Sequence, residues 1–416
     1  MKKLIVLFLV IFHIGCQIDE SEEFPVVTND DSFDLIVPEE FSWSTISQDV
    51  LLVNIVSEGV KTDALDSTKI ELYNGDGDLL DALIIFKGQV GFNFRVPVTT
   101  NMLKVKTPAA NTELEFSSKI RSINLEISDV SLVNFKRVDT DKDGLFDKFD
   151  EDPGDPNLAI TIGSKNSNKK SVYSSATNEK PSSYFIFEDL WPSKGDYDFN
   201  DFVARTSFSW KRGKDNYITE ISGISNMEWN SPGFGFGFEL FETKGTCLIY
   251  LNDIIAETEG DASRIDSIFN GFKILSGTKD IGSDTREFTL KVKSHSLKDF
   301  ACVPFLFKAD NMGYQIRPIG TPPTQIMQMQ MFKSADDDSP NTWDWQSGKK
   351  FKYPLKGDKA FYRSKESYPW GIEFLAKGFN STTESISILK RYPGFKDWAE
   401  SGGIIEGDWY NHPASK

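Results

Sequence analysis

The chain has 416 residues, a formal net charge of −16 and an aromatic content of 13% that includes 33 Phe. That much apolar surface excludes a solvated, disordered polymer, and the acidic balance excludes a nucleic-acid partner, whose affinity rests on Lys and Arg neutralising phosphates. Three His and three Cys leave little for triad or zinc chemistry. His295 and His412 are the imidazoles outside the N-terminal segment, and neither lies in a metal-type spacing such as HExxH, so cations held by oxygen are the expected ligands.

The length allows two or three domains. Met1, Lys2 and Lys3 precede an apolar run over residues 4–14, too short for a stable transmembrane helix and of the form of a secretory signal. FHIGC (residues 12–16) resembles a bacterial lipobox, with His13 where Leu is usual. The resemblance implies a signal peptide over residues 1–15, acylation of Cys16 and attachment to the outer membrane through lipid; the alternative is an ordinary signal with a free Cys16. The acidic residues 17–23 resemble the export signal that sends lipoproteins to the outer face of the outer membrane in one large bacterial phylum. This implies surface exposure, with residues 16–33 as an acidic tether.

From 34 to 137, short β runs at 50–56, 69–73, 79–86, 92–98, 102–106 and 120–127 alternate with turn residues and predict a β-sandwich. NGDGD (residues 74–78) reads as a tight hairpin turn with positive φ.

DTDKDGLFDKFD (residues 139–150) places Asp139, Asp141, Asp143, Asp147 and Asp150 at positions 1, 3, 5, 9 and 12, Gly144 at the sharp turn at 6, and the Leu145 carbonyl at 7. A hard cation needs several oxygens from a backbone that curls round it, and this spacing supplies them for one Ca²⁺. The string resembles EF-hand-type loops. Asp150 replaces the usual Glu and no helical pattern flanks it, so it is more similar to thrombospondin-type calcium repeats. The competing reading is a solvated acidic linker. Residues 138–156 thus form a calcium-loop hinge, ended by Pro153 and Pro156.

Residues 157–416 carry FEDLWPSKGDYDFNDFV (187–203), YPWGI (368–372), RYPGFKDWAESGG (391–403) and DWY (408–410). Together these resemble the LruC domain of bacterial envelope lipoproteins over roughly residues 160–410. The resemblance implies a lipoprotein with an N-terminal β domain, often an Asp-rich loop before the LruC domain, and no established activity. On an extended chain, period-2 geometry would throw Asp196, Asp198 and Asn200 to one side, and Tyr197 and Phe199 to the other. With Asp201, and with Glu188 or Asp189 nearby, that predicts a second cation site; an acidic turn closing a hairpin is the alternative.

Further strands are expected at 202–210, 246–251, 288–293 and 302–307. FGFGF (234–238) would turn its Phe residues to a core and leave the glycine face bare; core packing alone explains it, with close approach of another backbone or a ligand as the alternative. Cys247 and Cys302 form a natural disulfide pair in an oxidising compartment, or two separate buried thiols. The Met-rich 326–333 and acidic 336–338 look like a loop insertion. STTE (381–384) fits a capping box before a helix at 386–391, stopped by Pro393, and a second helical turn at 394–400 ends at Gly402 and Gly403.

The expected fold is mainly β: an N-terminal β-sandwich, a calcium-loop hinge and a larger sandwich or jelly-roll-like domain with a short C-terminal helix. The function expected is a non-catalytic, calcium-binding surface lipoprotein with a glycan or protein ligand. A glycoside hydrolase with paired carboxylates, using Trp343 and Trp345 as a sugar platform, is the alternative, and a purely structural envelope role is the third reading.

Overall fold

The computed structural model describes residues 35–56, 65–127, 135–163, 182–229, 231–251, 253–265, 270–277, 283–293, 297–346, 349–384 and 386–414. Cys16, the expected signal and tether, and His295 lie outside them. The chain is mainly β, with several open sheets, no closed barrel and a short helical C-terminal end.

The first seven strands are β1 (Ile46–Val56), β2 (Lys69–Asn74), β3 (Leu79–Ile84), β4 (Gln89–Pro97), β5 (Met102–Thr107), β6 (Thr112–Ser117) and β7 (Ser122–Glu126). They make a three-stranded sheet, β4-β1-β7, and a four-stranded sheet, β3-β2-β5-β6. Leu51, Val53 and Ile55 of β1 and Ile70 and Leu72 of β2 are buried alternately along their strands, so one face of each sheet closes a shared core. Strand β6 is not evident from hydrophobic pattern. Its outward Glu113 and Glu115 pair across the ladder with Lys106 and Lys104, a cross-strand charge arrangement that hydropathy does not register. NGDGD does close the β2–β3 hairpin, with the positive φ at Gly77 and the Asn74 side chain bonded to Asp78.

Fourteen further strands follow: β8 (Ile160–Ile162), β9 (Ser182–Phe187), β10 (Phe202–Arg212), β11 (Ile218–Trp229), β12 (Phe234–Lys244), β13 (Cys247–Tyr250), β14 (Ile255–Gly260), β15 (Ser263–Arg264), β16 (Gly271–Leu275), β17 (Asp284–Val292), β18 (Phe300–Lys308), β19 (Asn311–Ile316), β20 (Lys350–Lys352) and β21 (Gly371–Ala376). One sheet runs β14-β17-β11-β10-β9-β21, with β8 on β10. The other runs β15-β16-β12-β13-β20, with β18 on β12 and β19 on β18. Phe185, Phe202 and Phe288 from the first sheet meet Phe236, Phe238 and Phe272 from the second in one core.

Three expectations need correction. Cys247 and Cys302 are free thiols. They stand on β13 and β18, which pair with opposite edges of β12. Cys302 lies opposite Leu240 and Cys247 opposite Lys244, so two strand spacings and a four-residue offset put them about 15 Å or more apart, beyond the reach of a disulfide. The space beside Gly235 and Gly237 is filled by the rings of Phe307 and Phe305, each within 3.0 Å of where a Cβ would stand, so core packing accounts for the FGFGF strand, the leading of its two readings. Residues 326–333 are irregular, but Met327 and Phe332 are buried in the main core, so this is no detached insertion. The first helix, α1 (Ile388–Arg391), is capped by Ser387 instead of Ser381, while α2 (Gly394–Glu400) is followed by positive φ at Gly402 and Gly403 as expected.

Candidate metal centres

Among the described residues the 139–150 loop has no helix on either side, and it curls through positive φ at Lys142 and Gly144. Its acids first satisfy its own amides, as short Asp side chains do in tight loops. Asp139 accepts from the N–H groups of Lys142 at 2.8 Å and Gly144 at 3.1 Å, and Asp143 accepts from Leu145 at 2.7 Å. Ligand oxygens of Asp139, Asp141 and Asp143 lie within 4.8 Å of one another. Asp143 is fully buried, and neither Asp141 Oδ2 nor Asp143 Oδ2 has a hydrogen-bond partner.

Burial, followed by the charges of Asp150, Asp141 and Asp139, pushes the Asp143 carboxyl up to about 7. Burial, then Asp141, Asp147 and Asp152, pushes Asp150 up to about 6. Unmet buried carboxylate oxygens facing other carboxylates are costly without a counter-charge. A Ca²⁺ with its preference for six to eight oxygens fits this donor set. Asp147 instead closes the loop, since both its oxygens accept from Thr140, through N–H and hydroxyl at 2.8 Å each. The Leu145 side chain packs between Ala82 and Ile84 of β3 and Ile160 and Ile162 of β8. The loop is therefore a packed joint between the sandwiches and not an exposed hinge.

The 196–201 stretch is not a strand. Tyr197 and Phe199 both adopt positive φ, at 56° and 54°, and both rings are fully buried. The expected alternation fails because left-handed residues turn the chain between the acids. Asp196 is exposed, whereas Asp198 and Asn200 are buried. The carboxylate trio whose oxygens lie within 4.8 Å is Glu188, Asp196 and Asp198. Asn200 donates its amide to Asp198 Oδ2 at 2.7 Å, and Asp201 accepts from Asp189 N–H at 3.0 Å.

Glu188 is fully buried beneath this turn and accepts from Phe199 N–H at 2.6 Å and Tyr197 N–H at 3.3 Å. Gly195 makes room for it, since a Cβ there would stand 2.4 Å from Glu188 Oε2. Burial, then the Asp201 charge, raises the Glu188 carboxyl well above its ordinary value. Burial, then Asp189, pushes Asp201 up to about 7. Glu188, named in the sequence only as lying nearby, thus joins Asp196 and Asp198 in one crowded carboxylate group, with Asn200 bonded to Asp198.

The same turn gathers the other motifs. The Tyr197 and Tyr368 rings stack at 4.1 Å and 14°, the Ile388 N–H donates to the Tyr197 carbonyl at 2.8 Å, and Phe199 packs on Phe395. Trp343 and Trp345 are half-buried and turn their indole N–H groups inward, to Tyr250 Oη at 2.9 Å and the Pro323 carbonyl at 2.7 Å, so they do not form an exposed platform.

Residues 272–410, a third of the chain, match a family described as a domain of unknown function, DUF4842. No curated protein matches the chain. Among solved structures, it is similar to a candidate lipoprotein from Bacteroides ovatus at 14% identity and a TM-score of 0.44, over 84% of this chain and 98% of that one. A second likeness, to the major pilin SpaA of Corynebacterium diphtheriae, has 6% identity and a TM-score of 0.15 over 62% of each chain.

Proposed function

We propose that this chain is a non-catalytic, calcium-stabilised lipoprotein of the outer-membrane surface whose β-sandwiches bind an extracellular ligand, and that its LruC-like region and the stretch matching DUF4842 are one domain. The observation that carries the calcium reading is the pair of buried, unpartnered oxygens on Asp141 and Asp143. The ion would be held by Asp139, Asp141, Asp143 and Asp150 with the Leu145 carbonyl, and it would supply charge neutralisation and no chemistry. A second cation at Glu188, Asp196 and Asp198, with Asp201 beside them, is part of the same proposal. Binding is favoured over glycoside hydrolysis because the acids of the large junction cavity, Asp81 and Asp299, are both committed to Arg212.

Calorimetric titration of the metal-free protein with calcium tests the reading. A two-site isotherm is expected, from which Asp143→Asn removes one site and leaves the other; an isotherm unchanged in that variant would remove the first site.

A further inference from the structure

A cavity of about 640 Å³ lies where the sandwiches meet, walled by β3 and β4 on one side and by β9, β10 and β18 on the other. This is the size of a small-ligand site, about 300–1,000 Å³. Part of its wall is aromatic. Phe208, Trp210 and Phe300 are half-buried and pack against the main core, with the Trp210 and Phe300 rings edge-to-face at 5.5 Å, and Phe94 joins them from β4. Leu80, Val96 and Leu375 extend the apolar wall, and the polar part carries the hydroxyls of Ser183 and Thr243, the amide of Asn226 and the guanidinium of Arg205. Asp81 and Asp299 are both engaged by Arg212, at 2.7 and 3.4 Å. A smaller cavity of about 240 Å³ shares Gln48 and Arg95 with it, giving room for more than one ring.

We propose that this junction cavity binds a short saccharide. A sugar presents C–H faces that stack on aromatic rings and hydroxyl edges that both donate and accept, matching the two kinds of wall found here. A lipid tail would desolvate the hydroxyls, amide and guanidinium without replacing their hydrogen bonds, and an inorganic anion would leave the aromatic wall unused. The inference rests on the binding reading above and gives it a ligand class and a place.

The test uses the full chain in detergent on printed di- and trisaccharides of neutral hexoses, N-acetylhexosamines and uronic acids, with the best probe then titrated in solution. Ser207→Trp narrows the cavity from an exposed lining position, and Trp210→Ala removes part of the aromatic wall. Each is expected to weaken binding about tenfold or more, with thermal melts confirming that both variants fold. Absence of any bound probe, or binding undiminished in Ser207→Trp, overturns the proposal. Calcium uptake measured on the same samples separates the readings: uptake without saccharide binding sinks the cavity alone, and saccharide binding without uptake sinks the calcium site alone.

Discussion

The Arg212 guanidinium grips the Asp81 carboxylate in a two-pronged contact, Nη2 to Oδ2 at 2.7 Å and Nε to Oδ1 at 3.2 Å, with both side chains almost wholly buried where the sandwiches meet. The same guanidinium donates to the Asn216 and Lys298 carbonyls. Removing one member strands a buried charge, so Asp81→Ala should cost about 3–5 kcal/mol in a denaturant melt. Replacing both at once, Asp81→Leu with Arg212→Met, should recover most of that loss, since a well-packed apolar pair of similar volume is commonly no worse. A single-variant loss below ~1 kcal/mol would show that the contact does not hold the junction.

Calcium binding at the 139–150 loop should weaken as pH falls. Asp143 and Asp150 in the metal-free protein titrate near 7 and 6, above ordinary carboxylates, and calcium takes only their ionised forms. Affinity should therefore be greatest above pH 7 and drop steadily below it, with protons released on binding near neutrality. In chelator the same groups act in the opposite sense. The folded state retains protons that the unfolded state loses between pH 4 and 7, so their contribution to stability declines over that window as pH rises and is constant above it. Titrations at several pH values in buffers of different ionisation enthalpy measure the proton release; a pH-independent affinity would contradict the assignment. Chelation, like Asp143→Ala, should also open the joint to proteolysis.

Asp198→Ala should lower the melting temperature in calcium and remove most of its calcium dependence, because a ligand bound only by the folded state at 100 times its Kd stabilises by about 2.7 kcal/mol. Glu188→Gln keeps shape but turns one of the two oxygens that accept from Tyr197 and Phe199 N–H into a donor, and is expected to lower the melting temperature in calcium and weaken the metal response. Equal melting temperatures of the unmutated protein with and without chelator would strike out this second cation.

Cys16→Ala should release the protein from membranes, because two acyl chains give stable anchoring where none remains in the variant. Fractionation and surface labelling of intact cells are the measurements. Retention of the variant in the membrane fraction would refute the anchor.

How far the sequence was legible depends on whether a residue's role is local. The strands with alternating or continuous apolar runs, such as β1 and β18, lie where their pattern puts them, because burial of one face is written in every second residue. Strands β6 and β14 escape that test, since their Glu side chains face solvent. The close approach of Asp139, Asp141 and Asp143 is legible for the same local reason: all three come from one segment. Glu188 could be placed only loosely beside 196–201, because its role depends on Gly195 leaving space and on positive φ at Tyr197 and Phe199, conformations that non-glycine residues seldom adopt and that pattern does not announce. The separation of Cys247 from Cys302 is likewise a fact of strand order.

The opening segment of the described chain lies on its closing one. The Ile36 N–H donates to Glu400 at 3.3 Å, the Phe41 ring meets Trp398 at 4.9 Å, and Trp43 meets Phe395 at 5.9 Å. Any pull entering at Leu35 therefore reaches these contacts before it reaches β1, which is laddered to both β4 and β7. Rings can be peeled away one after another, each yielding at low force, while a strand held on two sides resists as a unit. For a molecule tethered by its N-terminal end, residues 35–45 would unreel as a short mechanical fuse, lengthening under drag while the 139–150 loop and the junction cavity stay unloaded.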